Sequence, residues 1–195
     1  MSRRRFASNL LLALAASAVA GSAGAQSPAG GTPLGESELK AAFIYNFLKF
    51  VEWPPSSFGR SDAPLVVAVV GDGPTADATE RFLASKHVGA RPVAVRRVAW
   101  DQSFAGVHAV FVAETGDSRR KRIFSAAADA AVLSIGEGAD FAATGGVIAL
   151  VVEERKVRFD IDVGAARSSG LKVSSKLLAL TRVVHAGQVR TGGVR

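Results

Sequence analysis

Apolar residues recur along positions 36–52 with a helical beat. Leu39, Phe43, Phe47 and Phe50 return at steps of three and four, and Ile44, Leu48 and Val51 widen the same face. The spacing predicts a helix from Glu36 to about Glu52. Glu36-Ser37-Glu38 set acids and a capping hydroxyl at its start, where they complement the helix dipole. Pro54-Pro55 end it, because proline lacks a donor and restricts the residue before it. The stretch from Phe43 to Trp53 holds three of the eleven Phe, the sole Tyr and one of the two Trp, so it anchors a core. Tyr45, Lys49 and Glu52 fall together on the opposite side.

Leu65–Val70 is a continuous apolar run closed by Gly71, the pattern of a strand covered on both faces in a parallel sheet. A turn at Gly71-Asp72-Gly73-Pro74 leads to a helix over Thr75–Ser85. Strands follow at Pro92–Trp100 and Val107–Ala113. Asp117 or Ser118 caps a helix to Ala128 with Ile123, Phe124 and Ala127 inward, and Val132–Ile135 is a further strand. This alternation predicts an α/β layered sandwich, a mostly parallel central sheet flanked by helices. The rhythm then breaks. Gly146–Val152 is apolar, 153–156 is a charged turn, and 157–163 alternates strictly. That pattern predicts a C-terminal antiparallel hairpin with Val157, Phe159, Ile161 and Val163 inward and Arg158, Asp160 and Asp162 toward solvent. Gly170 stops a helix, and Ser174 or Ser175 caps a last one carrying Leu177, Leu178, Leu180 and Val184. One domain over 36–185 is expected, with 186–195 a flexible tail.

The residues before position 36 have a different character. Ser2-Arg3-Arg4-Arg5-Phe6 is basic, and Leu10–Ala20 is apolar but shorter than the ~20 residues a membrane helix needs. Ala23-Gly24-Ala25 is a small-residue cleavage site, so residues 1–25 read as an export signal peptide. Ser-Arg-Arg-x-Phe is similar to a twin-arginine signal. Residues 26–35 are rich in Gly, Pro and Ser and read as a flexible spacer. Loss of Arg3, Arg4 and Arg5 lowers the formal net charge from +7 to +4. That modest balance favours solubility and gives no footprint for a nucleic acid. The mature part carries no apolar run long enough to span a membrane. The chain has no cysteine, which excludes thiol catalysis, Cys-zinc sites and disulfides within it.

Candidate chemistry is sparse. Gly71-Asp72-Gly73-Pro74 sits between a strand and a helix, but it lacks the third glycine of a dinucleotide fingerprint and there is no G-K-[ST]. A tight turn is the favoured reading. A small-ligand sensor is the rival, with Gly71, Asp72, Gly73 and Gly136 at the strand ends and Gly145 and Gly146 before the hairpin. Gly145-Gly146 also reads as a close backbone approach or a bulge. His87, His108 and His185 show no metal-binding spacing and read as surface or strand-end residues. No Gly-x-Ser-x-Gly elbow appears. Arg119–Arg122 is a basic run suited to lipid phosphate or an acidic partner, or simply the exposed first turn of a helix. No catalytic residue, cofactor or metal is expected, and no enzyme.

The chain resembles the YfiR family of periplasmic regulators. The resemblance is carried by residues 40–47 (KAAFIYNF) and 50–54 (FVEWP), the Val66–Gly71 and Val107–Val112 strands, 141–148 (FAATGGVI), 157–162 (VRFDID) and 165–178 (AARSSGLKVSSKLL). It implies a non-enzymatic periplasmic domain that restrains an inner-membrane diguanylate cyclase by binding its periplasmic part, so that cyclic di-GMP and biofilm formation stay low. A histidine kinase is the other partner class, and a homodimer is a further expectation. The family pattern includes disulfide cysteines; this chain has none, so redox control is not carried over. Aromatic and Arg residues favour interfaces, which makes Tyr45, Lys49, Glu52, Trp53, Arg167, Ser168 and Ser169 the expected partner surface.

Overall fold

The computed structural model describes residues 34–60, 62–113 and 116–186. The expectations for the signal peptide, for spacer residues 26–33 and for residues 187–195 lie outside the described residues.

The elements run α1 (Glu36–Phe50), β1 (Val51–Glu52), β2 (Leu65–Val70), α2 (Pro74–Leu83), β3 (His87–Val88), β4 (Arg91–Arg97), β5 (Ala109–Val112), α3 (Asp117–Asp129) and β6 (Leu133–Glu137). They continue with α4 (Asp140–Ala143), β7 (Ile148–Glu153), β8 (Lys156–Asp162), α5 (Val163–Ser168), β9 (Lys172–Val173), α6 (Ser175–Leu178) and β10 (Val183–His185). Among the described residues eight strands form one sheet in the order β10-β8-β7-β6-β5-β2-β4-β3. The run β4-β2-β5-β6-β7 is parallel, and β7–β8 is the expected antiparallel hairpin. Its two-residue loop, Glu154-Arg155, has φ of 49° and 61°, as a type I′ turn requires.

The sheet is covered on both faces, which explains its nearly uniform apolar strands. One core joins Ile44, Phe47 and Leu48 of α1 and Ala76 and Leu83 of α2 to Val67, Val69, Phe111, Ile135, Leu150 and Phe159. Phe47 meets Phe159 edge-on, with ring centroids 5.0 Å apart. The other core joins Ile123, Phe124 and Ala127 of α3 and Phe141 of α4 to Ala68, Val110, Val112 and Ala149. Each fully buried Phe or Leu contributes about 1.5–3 kcal/mol. Among the described residues no helix is long and apolar enough to cross a membrane.

Two expectations are overturned. First, Asp160 and Asp162 do not face solvent; they are 1% and 5% exposed. β10 runs parallel beside β8, and Arg182 grips Asp160 through Nε at 3.0 Å and a second nitrogen at 2.5 Å. Asp162 caps α5 by accepting the Ala165 N–H at 2.9 Å. Second, the last helix is a single turn, α6, capped by Ser174, and Val184 belongs to β10. His108 takes the strand-end alternative: it lies at the mouth of β5 and is buried. Its Nδ1 accepts the Val66 N–H at 3.0 Å and Nε2 lies 3.1 Å from the Ser57 carbonyl. A carbonyl only accepts, so the ring is neutral with its proton on Nε2. Burial, reinforced by the charge of Arg91, holds the His108 pKa below its ordinary value against the opposing pull of the Ser57 carbonyl.

Candidate functional site

The end of α1 is extended by β1, which pairs antiparallel with β9 in the register Val51↔Val173 and Glu52↔Lys172. Ser174 N–H donates to the Phe50 carbonyl at 2.9 Å, continuing the seam. Gly170, with φ 69°, turns the chain after α5, and a Cβ there would lie 3.5 Å from Pro54. The fold therefore joins the Glu52–Pro54 segment to the Arg167–Gly170 turn. Glu52, Arg167, Ser168 and Lys172 are exposed along this seam. Ser169 is buried, its hydroxyl donating to the Ala165 carbonyl at 3.0 Å.

Trp53 and Tyr45 have structural work in the same region. Trp53 Nε1 donates to the His108 carbonyl at 2.7 Å, which ties the end of α1 to the start of β5. Phe58 stacks on the His108 ring at 4.3 Å, and the Arg91 guanidinium lies 3.9 Å from the Phe58 centroid. Tyr45 leans toward α2 and β3, its hydroxyl donating to the His87 carbonyl at 2.8 Å. Lys49 is exposed, with Nζ 4.6 Å from the Tyr45 ring centroid.

The glycines separate into two groups. Gly71, Asp72 and Gly73 lie at the crest formed by the C-terminal ends of the parallel strands, where α/β sheets bind ligands. This crest is laced with ion pairs. Arg97 reaches Asp72 at 2.6 Å, Glu80 at 2.7 Å and Asp77. Arg120 joins Asp117 to Asp140. Lys40 Nζ sits 2.6 Å from both Glu36 and Glu137, and Thr75 Oγ1 donates to Glu137 at 3.1 Å. Burial opposes the Lys40 charge, but the hydrogen bonds to Glu137 and Glu36 outweigh it and raise its pKa. An open hollow of about 550 Å³ lies beside Gly71, Asp72, Arg97, Trp100 and Arg119.

Gly136 and Gly146 have a packing reason. A Cβ on either would lie 2.2 Å from the Phe141 ring, on opposite edges of it. Phe141 is thus wedged between two backbones, as the reading of a close approach at Gly146 expected.

Gly145, Ser168 and Ser169 meet at a cavity of about 330 Å³ between α3, the turn after α4 and α5. Its apolar wall includes Phe124, Ala128 and Ala165, and Asp162, Ser134 and Lys121 also line it. Ser134 Oγ accepts the Val147 N–H at 3.0 Å, while the Val147 carbonyl accepts the Asp162 N–H at 2.8 Å. The Ser134 side chain and the Asp162 backbone thus hold Val147 between them. Sequence reading passed over Ser134, whose signal was a hydroxyl interrupting the apolar run Val132–Ile135. Among the described residues no group of three or more His, Asp or Glu is set to hold a metal.

Comparison with known proteins adds a family and a fold. No curated protein matches the chain. A solved structure described as a conserved domain protein from Vibrio cholerae is similar at TM-score 0.51 and 13% identity, covering 77% of this chain and 60% of its own. The ABC domain from Streptococcus pneumonia in complex with L-Trp matches at TM-score 0.49 and 10% identity, over 76% of this chain and 60% of that one. The chain thus spans less than two thirds of either structure, and at such identity the first likeness speaks to the fold alone. The YfiR/HmsC-like family model matches residues 37–182, from the first turn of α1 to the residue before β10, and the chain belongs to that family.

Proposed function

We propose that this protein is an exported, non-enzymatic regulator. In the periplasm it binds the periplasmic part of an inner-membrane signalling protein, a diguanylate cyclase, and holds it inactive. Cyclic di-GMP and biofilm formation are kept low as a result. The mechanism is a population shift: the domain binds the inactive state of its partner more tightly than the active one. Family membership supports the class. The observation that carries the reading is the β1–β9 seam, which joins Glu52 and Pro54 to the Arg167–Gly170 turn in one surface with exposed charges of both signs. Two tests bear on it. The protein should capture the periplasmic domain of the cyclase, and its deletion should raise cellular cyclic di-GMP. Unchanged cyclic di-GMP in the deletion strain would remove this function. Capture of a histidine kinase's periplasmic domain instead would change the partner class.

A second reading, a periplasmic sensor of small ligands, is favoured by the hollow at the crest beside Gly71, Asp72 and Arg97. A thermal-shift screen with nucleotides and amino acids checks it, since a ligand that binds the folded state raises Tm. Absence of any stabilisation counts against it.

A further inference from the structure

The cavity between α3 and α5 is lined by groups of opposite character. Asp162 is 5% exposed, and among the described residues its carboxylate has one hydrogen bond, from the Ala165 N–H. Arg182 is engaged by Asp160 and Glu153. Among the described residues Asp162 has no salt-bridge partner. Its second oxygen has no partner among the described residues and is not sealed from solvent, so it can accept a donor in the cavity that Asp162 lines. Beside it Ser134, 2% exposed, accepts from Val147, and its own O–H has no acceptor among the described residues. Lys121 is an exposed lining residue, and the walls contributed by Phe124, Ala128 and Ala165 are apolar.

We infer that this cavity is a binding site for a small aliphatic zwitterion whose primary ammonium meets Asp162 and whose anionic end meets Lys121. The short methylene chain lies along Phe124 and the alanines. A cavity of about 330 Å³ is at the lower end of ligand pockets, which run from about 300 Å³. A simple cation satisfies Asp162 but meets the like charge of Lys121. A simple anion satisfies Lys121 but is repelled by Asp162. The zwitterion satisfies both, so the pairing of the two residues sets the selectivity. Gly145 makes room for this arrangement: its φ of 113° turns the chain beneath Phe124 in a conformation that side-chain-bearing residues rarely adopt.

The cavity borders the partner surface at Ser168 and Ser169, but the inference uses neither residue, and its failure would leave that reading intact. Calorimetric titration of the protein with 5-aminopentanoate tests it, with pentylamine and pentanoate as single-charge controls. Saturable binding of the zwitterion is expected, with each control weaker by about tenfold, or ~1.4 kcal/mol. Asp162→Asn keeps an oxygen to cap α5 and is expected to weaken binding at least tenfold. Lys121→Glu, at an exposed position, should weaken it without affecting the fold. Ala143 also lines the cavity and is exposed, so Ala143→Leu should block it. Absence of saturable binding to the wild-type protein overturns the inference. So does binding unchanged in Asp162→Asn or Lys121→Glu, or pentylamine binding as tightly as the zwitterion.

Discussion

Lys40 of α1 holds Glu137 of β6 across the top of the sheet, with Nζ 2.6 Å from Oε1. The two residues lie 97 positions apart, and Lys40 is 8% exposed. Replacement by Met keeps the aliphatic stem and removes the charge. Glu137 is partly exposed and can hydrate, so Lys40→Met should cost about 1.5–2 kcal/mol in urea unfolding, the lower part of the range for hydrogen bonds to charged groups. Arg81→Met, which breaks a looser exposed pair with Glu38, should cost under about 0.5 kcal/mol. Because the folded pKa of Lys40 is raised, its contribution is complete below the unfolded value of about 10.4. It is lost as pH rises through the folded value.

His108 predicts a slope on the acid side. Its folded pKa is depressed, chiefly by burial, so below about pH 6.5 the unfolded chain takes up a proton that the folded chain resists. Stability is therefore full above that pH. It falls as pH drops toward the folded value, by at most about 1.4 kcal/mol per pH unit. His108→Gln removes the titrating group. Chemical denaturation at pH 7.5, 6.5 and 5.5, values on the order of the imidazole pKa, should show a flatter profile in the variant.

Gly136 and Phe141 should behave as a coupled pair. Gly136→Ala places a methyl group into the Phe141 ring and is expected to cost about 1–3 kcal/mol as overpacking. Phe141→Leu leaves a void and is destabilising alone. Together the two should cost less than the sum, and a double-mutant cycle by thermal unfolding measures that coupling.

The seam makes a contrast among residues of the partner surface. Arg167 and Lys49 are exposed, so Arg167→Glu and Lys49→Glu should leave stability within about 0.5 kcal/mol and reduce capture of the partner domain. Trp53→Phe should act differently. It removes the indole hydrogen bond from the His108 carbonyl, which keeps the Leu133 N–H at 2.9 Å, and costs about 1 kcal/mol of stability, whatever it does to binding. Retained capture by both charge-reversal variants would clear those two residues from the interface.

Much of this architecture was written locally in the chain. The helical beat of α1, the apolar runs of β2 and β5 and the inward triad Ile123, Phe124 and Ala127 each follow from periodicity, because an apolar face must find cover wherever it lands. The α/β layering and the β7–β8 hairpin follow from the order of those segments. The tertiary structure decided matters that depend on distant neighbours. Alternation along 157–163 established two faces but not that β10, Arg182 and α5 would surround Asp160 and Asp162. β1 and β9 are two residues each, too short to carry a period, and they exist because the chain ends of α1 and α5 are brought side by side. Gly136 read as a strand end and Gly146 as a close approach or a bulge; only the tertiary structure supplies the Phe141 ring that lies between them. The cavity at Ser134 and Asp162 likewise arises from strands and helices far apart in sequence. Periodicity reports which face of an element is apolar, whereas the partner of a lone polar group is set by long-range packing.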